Sequence, residues 1–191
     1  FEQARSLLGE SLQLYEHAVG SQHPHVAGAL MQMAMLEGKQ GNFAAALPLL
    51  ERALLINERS YGKDNPEVAG NLHELGLAER ALGMVASAQQ RFEQSLQIQE
   101  ATVGAGHPFV ALTLVELAEG KRLQGDAAAA RALLQRALQL QETSLGKEHT
   151  TVATTLMRLG HLEVHGGNLS TAERYFERAT RIRERALGAT H

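Results

Sequence analysis

Gly62-Lys63-Asp64-Asn65-Pro66-Glu67-Val68-Ala69 decides how the rest of the chain is read, because near-copies of it recur at one fixed interval. The copies open at Gly20, Gly104 and Gly146, a further glycine stands at Gly188, and each of these glycines lies 42 residues after the last. Self-similarity at such a period is the mark of a solenoid, in which one supersecondary unit stacks on its own copies to bury a face it could not bury alone. The expected organisation is a single array over residues 1–191. Residues 1–23 form the second helix of an incomplete unit, and four units follow at 24–65, 66–107, 108–149 and 150–191. Phe1 aligns with Phe43 inside a repeat, so the chain is expected to begin within a longer array.

Outward from the motif, each repeat reads as two helices. His23-Pro24, Asn65-Pro66 and His107-Pro108 put proline at a helix start, where its missing N–H costs nothing, and Asn65 is a good N-cap. The fourth unit has His149-Thr150, with Thr150 expected to cap. From each start an apolar face recurs at i, i+3, i+4: Leu30, Met33, Ala34; Leu72, Leu75, Gly76; Leu114, Leu117, Ala118; Leu156, Leu159, Gly160. The small third residue lets a second helix approach closely. Gly41, Gly83, Gly125 and Gly167 close the first helices, and Asn42, Asp126 and Asn168 are placed to cap the second, whereas Met84 breaks the pattern. The second helices carry Ala46, Leu50, Ala53; Ala88, Phe92, Ser95; Ala130, Leu134, Ala137; and Ala172, Phe176, Ala179. The spacing predicts helices over 1–19, 24–39, 43–61, 66–81, 85–103, 108–123, 127–145, 150–165 and 169–187, with Pro48 bending the third.

Composition removes several classes of function. The formal charge is -3, and the chain has no Trp, 3 Tyr and 5 Phe, so neither a basic footprint nor stacking platforms for nucleic acid are present. With no Cys there is no thiol nucleophile, disulfide framework or cysteine zinc site, a composition that fits an intracellular, cytoplasmic setting. No apolar run approaches the roughly 18 residues of a membrane span. The serines lie on helices or turns without a nucleophile elbow, and no phosphate-binding G-x-x-x-x-G-K-[ST] loop occurs. No enzymatic activity and no cofactor are expected. His161 and His165, four apart on one helix, have a spacing that suits one metal ion, but Glu163 points elsewhere and no third ligand follows, so solvated or groove-lining histidines are expected. The Arg-rich last helix, Arg174, Arg178, Arg181, Arg183 and Arg185 with Glu173, Glu177 and Glu184, reads as a salt-bridged solvated face.

The glycine turn followed by Ala-x3-Leu/Phe-x2-Ala resembles the tetratricopeptide repeat. The 42-residue form with G-x-x-H-P-x-V-A, as in Gly20–Ala27, and the run Ala45–Leu54 with Glu58 are similar to the arrays of kinesin light chains and nephrocystin-type proteins. The resemblance covers the whole chain. One departure is that the aromatic of the first helix's last turn is replaced by Glu37, Glu79, Lys121 and Glu163. It implies an all-α, right-handed α-solenoid of helix-turn-helix repeats that binds a protein or peptide without chemistry, the first helices lining a concave wall. Counted around those helices, the wall presents Met31 and Met35; His73, Leu77 and Arg80; Val115, Glu119 and Arg122; Met157 and His161. Met and Leu rungs suit an amphipathic helix or extended apolar peptide, and Arg80 and Arg122 suit acidic groups or phosphate. A purely structural assignment competes: the methionines pack on neighbouring helices and the arginines pair with Glu74, Glu116 and Glu119. Other readings of the whole are a ligand-sensing array of a larger nucleotide-switch protein, or a solenoid that self-associates through its ends. Neither nucleic acid nor membrane is an expected partner.

Overall fold

Every first helix is opened by a residue in extended backbone whose side chain accepts from the amide two residues on. His23 Nδ1 accepts from His25, Asn65 Oδ1 from Glu67, His107 Nδ1 from Phe109 and His149 Nδ1 from Thr151. Each cap satisfies an amide that a helix start leaves without an intrahelical acceptor. Pro24, Pro66 and Pro108 then take the first turn. In the fourth unit His149 is the cap and Thr150 the first helical residue, which corrects the assignment of the cap to Thr150.

The computed structural model describes residues 1–188. The helices are α1 (Glu2–Val19), α2 (Pro24–Lys39), α3 (Phe43–Tyr61), α4 (Pro66–Ala81), α5 (Val85–Thr102), α6 (Pro108–Leu123), α7 (Ala127–Leu145), α8 (Thr150–His165) and α9 (Leu169–Leu187), with α3 running through Pro48. The expected spans hold to within one residue, and no strand occurs among the described residues. The end of the expected fourth unit, 189–191, lies outside the described residues. Two compact units result, Phe1–Thr102 carrying α1 to α5 and the remainder, from Val103 onward, carrying α6 to α9. Within the first, α2 packs on α3 and α4 on α5, with α3 against α4; within the second, α6 packs on α7 and α8 on α9, with α7 against α8. Each unit is thus a stack of helix hairpins, the all-α solenoid arrangement.

The repeat glycines end the second helices, and Gly20 and Gly62 have φ 87° and 82° with ψ 154° and 163°. That is a mirror-extended conformation open essentially to glycine alone, not the left-handed helical geometry common at glycine caps.

The apolar rows meet as read. Val26, Ala27, Leu30, Ala53 and Ile56 form one buried cluster, and their equivalents Val152, Ala153, Leu156, Ala179 and Ile182 form another. Where Ser95 replaces the alanine of the second helix, its buried hydroxyl donates to the Ala69 carbonyl at 2.8 Å.

Hairpin crossings come in two matched sizes. In the α4/α5 and α8/α9 hairpins a Cβ added at Gly76 or Gly160 would fall 2.6 Å or 2.4 Å from the ring of Phe92 or Phe176. In the other two, alanine faces leucine, as Ala34 packs with Leu50 and Ala118 lies beside Leu134. A larger residue on one helix is therefore matched by a smaller one on the other, as close packing requires.

One buried polar pairing recurs between hairpins. Asn57 donates to Asn71 at 2.7 Å, and two repeats on Thr155 donates to Gln141 at 2.7 Å. The glutamates that replace the expected aromatic take arginines from second helices: Glu37 with Arg5, Glu79 with Arg91, Glu163 with Arg131. Arg131 holds the Glu163 carboxyl below its ordinary range. Asn42 and Asn168 do not cap by side chain as expected, because their amides donate to Glu37 and Glu163 instead, whereas Asp126 does cap, accepting from the Ala129 amide at 3.0 Å. The arginines of α9 are likewise tied to the preceding hairpin: Arg178 pairs with Glu142 and Arg185 with Glu148, each at 2.6 Å. Among the described residues no ion pair joins them to Glu173, Glu177 or Glu184 of their own helix.

Size matching gives the first test. Gly76→Ala should destabilise the chain by about 1–3 kcal/mol through overpacking against Phe92. Adding Phe92→Leu recreates the alanine–leucine pairing of the other crossings and should return much of that loss in urea unfolding. A double variant no more stable than Gly76→Ala alone would contradict the matching.

Candidate functional site

In each unit two successive first helices and the second helix that lies between them in sequence line a recess. In the first unit α2 contributes Ala34, Met35, Gly38 and Lys39, α4 contributes Glu74, Leu77 and Ala78, and Phe43, Ala46 and Leu50 of α3 make the floor, enclosing about 220 Å3. In the second unit α6 contributes Val115, Ala118, Glu119 and Arg122, α8 contributes Arg158, His161, Leu162 and His165, and Ala130 and Leu134 of α7 make the floor, enclosing about 310 Å3. The two recesses are repeat equivalents two units apart: Ala34 corresponds to Ala118, Leu50 to Leu134, Leu77 to His161 and Glu74 to Arg158. Both are floored by the alanine–leucine crossing.

Of the wall residues expected from the sequence, Met35 and Leu77 share the first recess, and Val115, Glu119, Arg122 and His161 share the second. Met35 is 44% exposed, whereas Val115 is only 8% exposed and offers little more than an edge. The others sit elsewhere. Met31 packs against the buried clusters of its hairpin and receives the Asn71 amide on its sulfur. Met157 packs against the Val152–Ile182 cluster. For these two methionines the packing assignment describes the structure. Arg122 is also partnered as that assignment expected, its Nε and Nη2 donating to Glu119 at 2.9 Å and 2.7 Å. Arg158 reaches Glu116 only at 3.9 Å. Arg80 is half-buried on α4, and His73 lies edge-on to Phe92 with ring centroids 5.4 Å apart. His161 meets Phe176 in the same way at 5.2 Å.

The electrostatics of the two recesses differ. Burial, with Arg80 adding repulsion, lowers the His73 pKa from 6.5 to about 4, so that ring is neutral at physiological pH. Burial also raises the Glu74 carboxyl above its ordinary range. Lys39, Glu74 and Arg158 were not among the expected wall residues. The signal for two of them was present in the sequence, since Glu74 and Arg158 stand at one repeat position with opposite charge. Among the described residues no group of three or more His, Asp or Glu is placed to hold a metal ion, and His161 and His165 instead line the second recess. No helix of the described residues is long and apolar enough to cross a membrane.

Family models described as tetratricopeptide repeat match residues 25–101 and 109–185, and a further one matches residues 1–25. The chain belongs to the tetratricopeptide-repeat family. Among solved structures, this tetratricopeptide array is similar to BtubC (BKLC) from P. vanneervenii, with a TM-score of 0.84 and 23% identity over 98% of this chain and 74% of that one. It is similar also to a putative kinesin light chain of Podosopora anserina with nearly identical repeats, with a TM-score of 0.75 and 24% identity over 97% and 88% of the two chains. MamA matches with a TM-score of 0.66 and 12% identity over 97% and 94%. At these identities the likeness establishes the fold. A search of the curated proteins finds no match.

His73 generates a prediction about acid stability. Its folded pKa is depressed, so below pH 6.5 the unfolded chain takes up a proton that the folded chain refuses. Stability should fall as pH drops from 6.5 through about 4, by up to about 3 kcal/mol in total. His73→Met installs the residue of the equivalent positions 31 and 157. Urea midpoints at pH 7 and pH 4 should show a smaller acid loss in that variant than in the parent; an equal loss would contradict the assignment.

Proposed function

We propose that this chain is a non-catalytic scaffold that binds a segment of another polypeptide, and that each unit does so along the recess side of its first helices. Tetratricopeptide repeats generally serve as protein-interaction scaffolds, and membership of that family is established by the matches over residues 25–101 and 109–185. The observation that carries the more specific reading is the pair of equivalent recesses, each about the size of one or two side chains and open to the surface. Met35, Leu77 and Phe43 give the first recess an adaptable apolar lining, while Glu119, Arg122, Arg158 and His161 give the second a polar one. A rigid scaffold loses little freedom on binding, so a short peptide needs few anchoring side chains. Met31, His73, Arg80 and Met157 support the wall from behind or beside the recesses and are assigned to positioning it.

Peptides selected from a displayed random library on the intact chain provide the test. Met35→Gln and Leu77→Gln should each weaken the selected peptides by roughly ten-fold in calorimetry, equivalent to about 1.4 kcal/mol, with the far-UV spectrum unchanged. Undiminished binding to both variants and to Glu119→Gln and His161→Gln would refute the reading.

A further inference from the structure

We propose that the recess of the first unit is a socket for the side chain of a lysine or arginine on the bound polypeptide, its aliphatic stem lying on Met35, Leu77 and Leu50 and its cation meeting Glu74. This rests on the reading of the chain as a polypeptide scaffold and assigns the chemistry of one anchor.

Three observations converge on it. First, among the described residues the Glu74 carboxylate has neither a hydrogen-bond partner nor an ion-pair partner, although the other partly buried glutamates around it are engaged: Glu37 with Arg5, Glu79 with Arg91. Carboxylates held at an apolar wall without a partner are costly to the fold and gain most from an incoming cation. Second, the rest of the lining is Ala34, Met35, Phe43, Leu50, Leu77 and Ala78, an apolar sleeve of the kind that long cationic side chains cover with their methylenes. Lys39 stands exposed at the rim. Among the described residues no ion pair or hydrogen bond joins Lys39 to Glu74, and burial raises the Glu74 carboxyl above its ordinary range. Third, the equivalent recess of the second unit places Arg158 where Glu74 stands and Arg122, bonded to Glu119, where Gly38 stands. One geometry therefore carries opposite charge at one repeat position, and the cationic anchor belongs to the first unit alone.

The probes are Nα-acetyl-arginine methylamide and Nα-acetyl-lysine methylamide, with the norleucine analogue supplying the stem without the charge. Titrated into the intact chain, with methyl signals of methionine and leucine followed by NMR, the cationic probes should shift Met35 and Leu77 saturably while Leu162 stays in place. The norleucine analogue should bind roughly ten-fold more weakly, the difference expected of one charge-assisted hydrogen bond. In Glu74→Gln the cationic advantage should vanish while the unfolding temperature is unchanged or higher, because a desolvated carboxylate has been removed. Equal affinity for norleucine, shifts at Leu162 instead of Met35, no saturable shift, or an advantage that survives Glu74→Gln would each overturn the proposal. Library peptides that need Leu77 yet show no preference for Lys or Arg would overturn the socket and leave the scaffold reading standing; cationic probes that bind while library peptides ignore Leu77 would do the reverse.

Discussion

The structure depends on how closely two helices of a hairpin can cross, and that distance is set by one pair of side chains per repeat. A single helix pair has too little apolar surface to outweigh the entropy of ordering it, so each hairpin must present a second face to the next. Gly76 against Phe92 and Gly160 against Phe176 fill the crossing with an aromatic ring; Ala34 with Leu50 and Ala118 with Leu134 fill it with an aliphatic chain. The aliphatic crossings are the ones beneath the two recesses.

Polar groups then fix which hairpin faces which. Asn57 with Asn71 and Gln141 with Thr155 repeat one buried pairing across the junction between neighbouring hairpins, and a slip of either helix would strand both partners. Such pairs add modest net stability but are expensive to break, so they act on register more than on stability. Glu37 and Glu163 do similar work by drawing Arg5 and Arg131 from the preceding second helix onto their turns, whereas Glu79 takes Arg91 from its own hairpin.

The elements were legible in the sequence because repetition supplies independent copies of each signal. A proline after His23, Asn65 and His107 and a glycine 42 residues apart locate the helix ends whatever the local propensities are. Pairwise chemistry was less legible. Asn42 and Asn168 have the composition of caps, yet a buried carboxylate nearby competes for their amides, and nothing local to either residue reveals Glu37 or Glu163 as the winner. Counting around a helix found Met35, Leu77, Glu119 and His161 in the recesses. It could not separate them from Met31 and Met157, one turn earlier, because which turn is covered depends on the neighbouring helices that pack against it. Glu74 was read only as a partner for arginine. Its significance lies in having none among the described residues, and an absent partner leaves no mark in a sequence.

Whether the recess above Ala34 and Leu50 takes a side chain of another chain can be tested by filling it from below. Ala34→Gly combined with Leu50→Phe installs the aromatic crossing in the first unit while keeping total volume nearly constant, so the fold should lose less than about 1.5 kcal/mol. Binding of library peptides that engage Met35 and Leu77 should collapse in this double variant while its cooperative unfolding persists. Full binding in a variant shown by urea unfolding to be folded would contradict it.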